Sequence, residues 1–301
     1  MFASCCSPAA INHQQTRPNK STERGFTLVE LIMVIALAGI VAVMITTIMT
    51  RPLQGFADQS RRAELTDLAA MALNRMARDI RLAVPNSVRP TGTTQLELLA
   101  ISEAGRYRAN QWEENGARYD PPRCPDSGNC TIPVLSPGVD EDEVKEARWM
   151  VIYNTGPLIG NNDAPTVITP NNVNFELGCT SDEPCLELTG AEDFSFQYAS
   201  PQHRFYLVRD VLGYRCENPG KNANGDGRGR ILRGVFDSLS GSYSYTGSTG
   251  AALVVDSVSA CSFTYTPGTN TRNGLVTLHL SLTKGGETVS LLQQVHVDNA
   301  P

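Results

Sequence analysis

Between Phe26 and Met49 the chain carries one charge, Glu30, in a run whose other side chains are apolar, small or hydroxyl-bearing. About 24 such residues make roughly 36 Å of helix, enough to cross a hydrocarbon core of about 30 Å with some tilt. A carboxylate at the centre of such a span costs on the order of 2.5–3.5 kcal/mol, and somewhat less near an interface. Glu30 is therefore either an interfacial residue of an ordinary anchor or a functional group that answers a cation.

Charge is unevenly distributed around this span. Arg17, Lys20 and Arg24 against Glu23 give residues 1–25 a net +2, so the rest carries −8 of the formal net charge of −6. A basic segment ahead of an apolar span predicts a cytoplasmic N-terminus and an exported acidic remainder. That acidic balance argues against nucleic acid as a partner. A secretory signal has a shorter apolar stretch and a small-residue cleavage site after it, and neither is present.

The cysteines divide in the same way. Cys5 and Cys6 precede the span, whereas Cys124, Cys130, Cys179, Cys185, Cys216 and Cys261 follow it. Six cysteines in an exported domain suggest disulfides. Sequence proximity suggests 124–130, 179–185 and 216–261, although six allow 15 pairings. The loop-entropy model gives each short bridge about 2.4 kcal/mol and the long one about 4 kcal/mol. Zinc is the rival reading, but neither short pair has the usual ligand spacing and no histidine lies near either.

After the span, Pro52 is expected to kink a helix that continues past it. Leu65, Leu68 or Ala69, Ala72, Met76, Ile80 and Ala83 recur at helical spacing, with charged residues between them. Pro85 disfavours helix before it, so the helix is expected to end near Val84. Four regions result: 1–25, a spanning segment 26–50, an amphipathic continuation 51–84, and a β-rich domain 85–301. Strands are expected at 95–101, 147–154, 185–190, 194–199, 204–210, 229–235, 251–256, 261–266, 275–282 and 288–297. The last two flank "TKGGE", a hairpin signal. The stretch 102–146 reads as a loop-rich, acidic insertion. The fold class is α+β, a long N-terminal helix packed on an antiparallel sheet.

The opening "GFTLVELIMVIALAGI" resembles the class III signal of type IV pilins and pseudopilins. The resemblance implies that prepilin peptidase cuts after Gly25 on the cytoplasmic side and that the new terminal amine, on Phe26, is methylated. It makes 1–25 a leader and Glu30 the membrane carboxylate that neutralises the terminal amine of a neighbouring subunit. Such a pair need not stabilise strongly; it can set register, because a subunit at the wrong height leaves both charges unpaired. "LQGFADQSRRAELTDLAAMALNRMARDIRLAVPNSVR" (53–89), "HRFYLVRDVLGYRC" (203–216), "SACSFTY" (259–265) and "GETVSLLQQVHVDNAP" (286–301) are similar to minor pilin-like subunits of the MSHA type IV pilus. The implied partners are prepilin peptidase, other minor and major pilins through the N-terminal helix, and the inner-membrane assembly platform. The implied location is the inner membrane, crossed once, with a periplasmic C-terminal domain that can reach the pilus tip.

No catalytic constellation emerges, and neither a cofactor nor a metal is expected. His13, His203, His279 and His296 are isolated in sequence. "SLTK" (281–284) matches a Ser-x-x-Lys pattern by letters alone and lacks companion motifs. "NANGDGRGR" (222–230) partly resembles a calcium loop, but Arg233 stands where a bidentate glutamate belongs; it reads as a flexible turn. The leading reading is a minor pilin-like subunit that starts or caps a fibre. A J-type pseudopilin of type II secretion, a tip adhesin using the 102–146 and 218–229 loops, and an anchored periplasmic enzyme are the alternatives.

Overall fold

One helix, α1 (Leu28–Arg81), carries both the apolar run and the amphipathic stripe. The computed structural model describes residues 25–109, 119–126, 128–136, 138–160, 166–179, 184–239, 241–245, 251–269 and 272–297, without side chains at 47 and 49–54. The leader through Arg24, with Cys5, Cys6 and His13, lies outside the described residues. The backbone is helical through Pro52, whose side chain lies outside them too. The chain divides into two compact units, Met1–Phe56 and Ala57–Pro301.

In the second unit, Leu65, Ala69, Ala72, Leu73, Met76, Ala77 and Ile80 are buried, a stripe set by the helical period. The helix ends at Arg81, three residues before the expected Val84. Pro85 favours extended backbone ahead of it, and the sheet uses that geometry. The Leu82 and Ala83 amides close the last turn on the Arg78 (3.2 Å) and Ile80 (3.3 Å) carbonyls, and the chain then leaves the helix alongside β2: the Val84 amide donates to the Leu99 carbonyl (2.8 Å) and the Ile101 amide to that of Leu82 (2.9 Å).

The remaining elements are β1 (Arg89–Thr91), β2 (Gln95–Arg106), β3 (Cys130–Pro133), α2 (Glu141–Glu146), β4 (Trp149–Val151), β5 (Asn174–Cys179), β6 (Pro184–Thr189), β7 (Arg204–Glu217), β8 (Gly229–Phe236), β9 (Ala252–Thr266), β10 (Gly274–Lys284) and β11 (Glu287–Val297). They form an antiparallel sheet ordered β1-β2-β7-β8-β9-β10-β11, with β4 beside β7, and a smaller sheet ordered β3-β6-β5. The architecture is α+β. One face of the large sheet packs on α1 through Leu278, Leu280, Leu282 and Phe263. Trp149, Tyr243 and Tyr245 cluster with Leu99, Val151 and Val211 in a separate core. The small sheet and Val144 of α2 form a third.

Several elements depart from the pattern in the sequence. The 102–146 stretch contains the end of β2, then β3 and α2, in addition to irregular backbone. Asp140 caps α2, its Oδ1 accepting from the amides of Asp142 and Glu143. Residues 194–199 alternate like a strand but form only an isolated bridge between Arg123 and Ser195, because loop groups take their backbone bonds: the Phe194 carbonyl accepts from Cys124 and the Gln197 amide donates to Thr166. The expected strands at 251–256 and 261–266 are one strand, β9, carried through Ser257 at φ 57° beside irregular register with β8. Polar "SVSA" marks a bulge there, not a turn.

Gly285 and Gly286, at φ 58° and 87°, connect β10 to β11 as a two-residue turn with both central residues left-handed, the geometry that glycine adopts without strain. Gly213 answers a different need: a Cβ there would lie 2.1 Å from the Tyr245 hydroxyl.

Three disulfides tie these elements: Cys124–Cys130, Cys179–Cys185 and Cys216–Cys261. The last joins β7 to β9 where the turn between β1 and β2 inserts. There the Cys216 amide donates to Thr94 (2.8 Å) and the Phe263 amide to Thr93 (2.7 Å).

Candidate functional site

Gly25, Phe26 and Thr27 precede α1, and Thr27 starts it. The Glu30 amide donates to Thr27 Oγ1 (3.3 Å) and the Leu31 amide to the Thr27 carbonyl (3.2 Å). A threonine at the N-cap satisfies an amide that the helix leaves unpaired. Thr27 and Glu30 thus hold the threonine and acid positions of a capping-box pattern. Sequence reasoning concentrated on Glu30 and missed Thr27, although Thr-x-x-Glu ahead of an apolar run is the signal for it. Glu30 also lies in the first turn, where a negative charge is favoured by the helix dipole.

The surface around this start is apolar and uncovered. Every residue from Gly25 to Thr46 is exposed, Phe26 at 80 %, and Leu28–Thr46 is long and apolar enough to cross a membrane. Thr46 returns its hydroxyl to the Ala42 carbonyl, a bond that hides polarity within the helix. Among the described residues the Glu30 carboxylate makes no ion pair. Gly25 and Phe26 sit together at the non-helical start, Phe26 four residues before Glu30.

In the second unit, candidate chemical groups are engaged in holding the fold. His203 Nε2 lies 3.1 Å from Asp120 Oδ2, and the Tyr107 hydroxyl donates to Asp120 Oδ1 (3.0 Å) while accepting from the Ser200 amide (3.1 Å). This cluster pins residues 119–121 to the start of β7. Cys179, Cys185 and Glu187 lie within 4.8 Å of one another, but the disulfide leaves neither sulfur as a thiolate for a metal. The 222–230 segment is a turn braced by its own side chains. Asn222 Oδ1 accepts from the amides of Asn224 (2.9 Å) and Asp226 (3.0 Å), and Asp226 Oδ1 accepts from Gly285 (2.6 Å). Its acid is spent on the β10–β11 turn.

A buried pair organises the other end of the sheet. Glu97 is fully buried, its Oε2 3.4 Å from Arg89 Nε and 3.2 Å from Thr91 Oγ1, while Tyr245 donates to its Oε1 (3.2 Å). Asp79 of α1 likewise accepts from Tyr214 (2.6 Å) and Arg233 (3.0 Å), joining helix to sheet.

The sequence profile of the prokaryotic N-terminal methylation motif matches residues 20–46. This is the prepilin signal of type IV pilin-like proteins, and the match spans Gly25, Phe26 and Glu30. No curated protein and no solved structure matches the chain. The motif and the single apolar N-terminal helix fit a single-pass, membrane-anchored, pilin-like protein.

Proposed function

We propose that this chain is a minor pilin-like subunit, cut after Gly25 by prepilin peptidase, methylated at Phe26, and assembled through α1 in initiating or capping a type IV fibre. The observation that carries the reading is the match over residues 20–46 to the methylation motif, with a carboxylate and no internal cation in an exposed apolar helix. Cleavage creates a positive amine at the helix end where the dipole is also positive. Glu30 offsets that charge on a neighbour, and a subunit at the wrong height would leave both groups unpaired in a low-dielectric bundle.

The quoted segments at 53–89, 203–216, 259–265 and 286–301 favour the MSHA pilus and most resemble its biogenesis protein MshO. In this reading the protein stands in the inner membrane with its N-terminus cytoplasmic and residues 57–301 periplasmic until assembly. Its chemistry is recognition and polymerisation, not catalysis.

Intact-mass analysis of the N-terminus, from hosts with and without the peptidase, tests the reading. An N-methyl-Phe26 start that disappears with the peptidase supports it; an uncut chain refutes it. Glu30→Gln should be processed normally and incorporated poorly, and wild-type incorporation would remove the register role. A deletion that blocks protein export while leaving pili intact would move the subunit to a type II secretion pseudopilus.

A further inference from the structure

The three disulfides are not equally shielded. Cys124, Cys130 and Cys216 are buried, and Cys261 packs against the α1 core. In the third bridge Cys185 is fully buried, but its partner Cys179 is exposed. Cys179 is the last residue of β5, an edge of the small sheet whose neighbour there is β6. It is also the one bridged cysteine in left-handed backbone, at φ 67°, a conformation that costs a non-glycine residue free energy. Opening this bridge lets that backbone relax, whereas opening either of the others requires a core to part first.

Glu187 completes the setting. The pairing of β5 with β6 puts Gly178 opposite Cys185 and Cys179 opposite Pro184. The half-buried Glu187 side chain fills the space over Gly178, where a Cβ would lie 2.3 Å from Glu187 Oε1. A carboxylate oxygen thereby comes within 4.8 Å of both sulfurs. A thiolate leaving on buried Cys185 would meet that carboxylate at short range, which opposes its departure. The bridge is open to attack at one sulfur and restrained at the other.

We propose that Cys179–Cys185 is a thiol–disulfide exchange site for a dithiol partner, with Cys179 Sγ as the atom attacked and Glu187 as a brake. A partner thiolate attacks Cys179 Sγ and forms a mixed disulfide with it. The Cys179–Cys185 bond breaks, its electron pair leaves on Cys185, and Cys185 takes up a proton. The partner's second thiol then attacks the partner sulfur of the mixed disulfide, releasing Cys179 as a thiol and the partner as a disulfide. Two electrons and two protons pass from partner to bridge, and the reverse sequence closes it. A dithiol resolves its own mixed disulfide, so one molecule on the exposed side suffices. The opened form keeps its core: Cys130 stays opposite Leu188 and Pro133 opposite Cys185, and Cys124–Cys130 still ties β3 into the small-sheet core. The site uses nothing from α1 and is independent of the pilin-like reading.

The test is timed reduction of the full-length chain in detergent with dithiothreitol, quenched by iodoacetamide and mapped by peptide mass spectrometry. Cys179 and Cys185 should be alkylated about tenfold or more faster than the other four bridged cysteines, with circular dichroism unchanged, because their bridge opens without unfolding. Glutathione, a monothiol, should be trapped on Cys179 while Cys185 is alkylated. Glu187→Gln should speed this opening by about threefold or more and leave the other two bridges at their wild-type rates, since only the local repulsion is removed. Earlier opening of another bridge, or opening of all three together, overturns the proposal. Glutathione on Cys185 overturns the direction of attack, and an unchanged rate in Glu187→Gln overturns the brake. Reduced thioredoxin, run alongside, separates the sources of the dithiol: opening by it assigns a protein partner, and opening by dithiothreitol alone a small one.

Discussion

Replacing Cys216 and Cys261 together by alanine should destabilise the exported domain more than removing either short disulfide. The bond closes a sequence separation of 45 residues, which the loop-entropy relation converts to about 4 kcal/mol of unfolded-state restriction. Cys124–Cys130 and Cys179–Cys185 each close six, giving about 2 kcal/mol. For a domain of this size each kcal/mol moves the melting temperature by about 2–4 °C. The expected losses are therefore about 8–16 °C for the long bridge and about 4–8 °C for each short one. Location adds to the contrast: Cys216 is buried on β7 and its amide bonds the β1–β2 turn, while Cys179 is exposed. Calorimetry of the full chain in detergent, on three double-alanine variants, reads all three losses. Equal losses, or a larger loss from a short bridge, would refute chain restriction as the source of the difference.

Burial pushes the Tyr243 phenol up to about 12 and also raises Tyr107, Tyr214 and Tyr245. A raised folded value means that stability is complete below the unfolded value near 10 and is lost as pH climbs through the folded value. For Tyr243 that window is about pH 10–12; absorbance at 295 nm should show these phenols ionising only as the domain unfolds, and their free titration near pH 10 would refute the burial. Arg89→Met strands the buried Glu97 carboxylate without its cation and should cost about 3 kcal/mol in urea unfolding; a loss below about 1 kcal/mol would show that the donors Thr91, Gln95 and Tyr245 suffice. Tyr214→Phe removes one of the two donors to Asp79 and should cost about 1.5 kcal/mol, measured the same way. An unchanged midpoint would mean that Arg233 alone holds that junction.

Features governed by near neighbours were legible in the chain itself. The uninterrupted apolar run with its lone carboxylate depends on length and composition. The stripe from Leu65 to Ile80 depends on helical period, and the Gly285–Gly286 turn on backbone freedom. Even Thr27, which went unread, was announced by its spacing to Glu30. Each is decided by groups a few residues apart, so the linear order already contains the physics.

Tertiary structure decided the rest. Buried Glu97 takes donors from Arg89, Thr91 and Gln95 close by in the chain, but its other donor, Tyr245, comes from 148 residues away, and nothing near position 97 specifies that partner. Residues 194–199 alternate like a strand yet lose their ladder to loop carbonyls and amides, and Ser257 bends one long β9 where polar residues suggested a turn. The edge strand β11, bonded among the described residues to β10 alone, is the clearest case. Alternation identifies a strand, but whether its outer hydrogen bonds are used depends on which strands lie beside it, and strand order is settled only when distant segments compete for the same backbone groups.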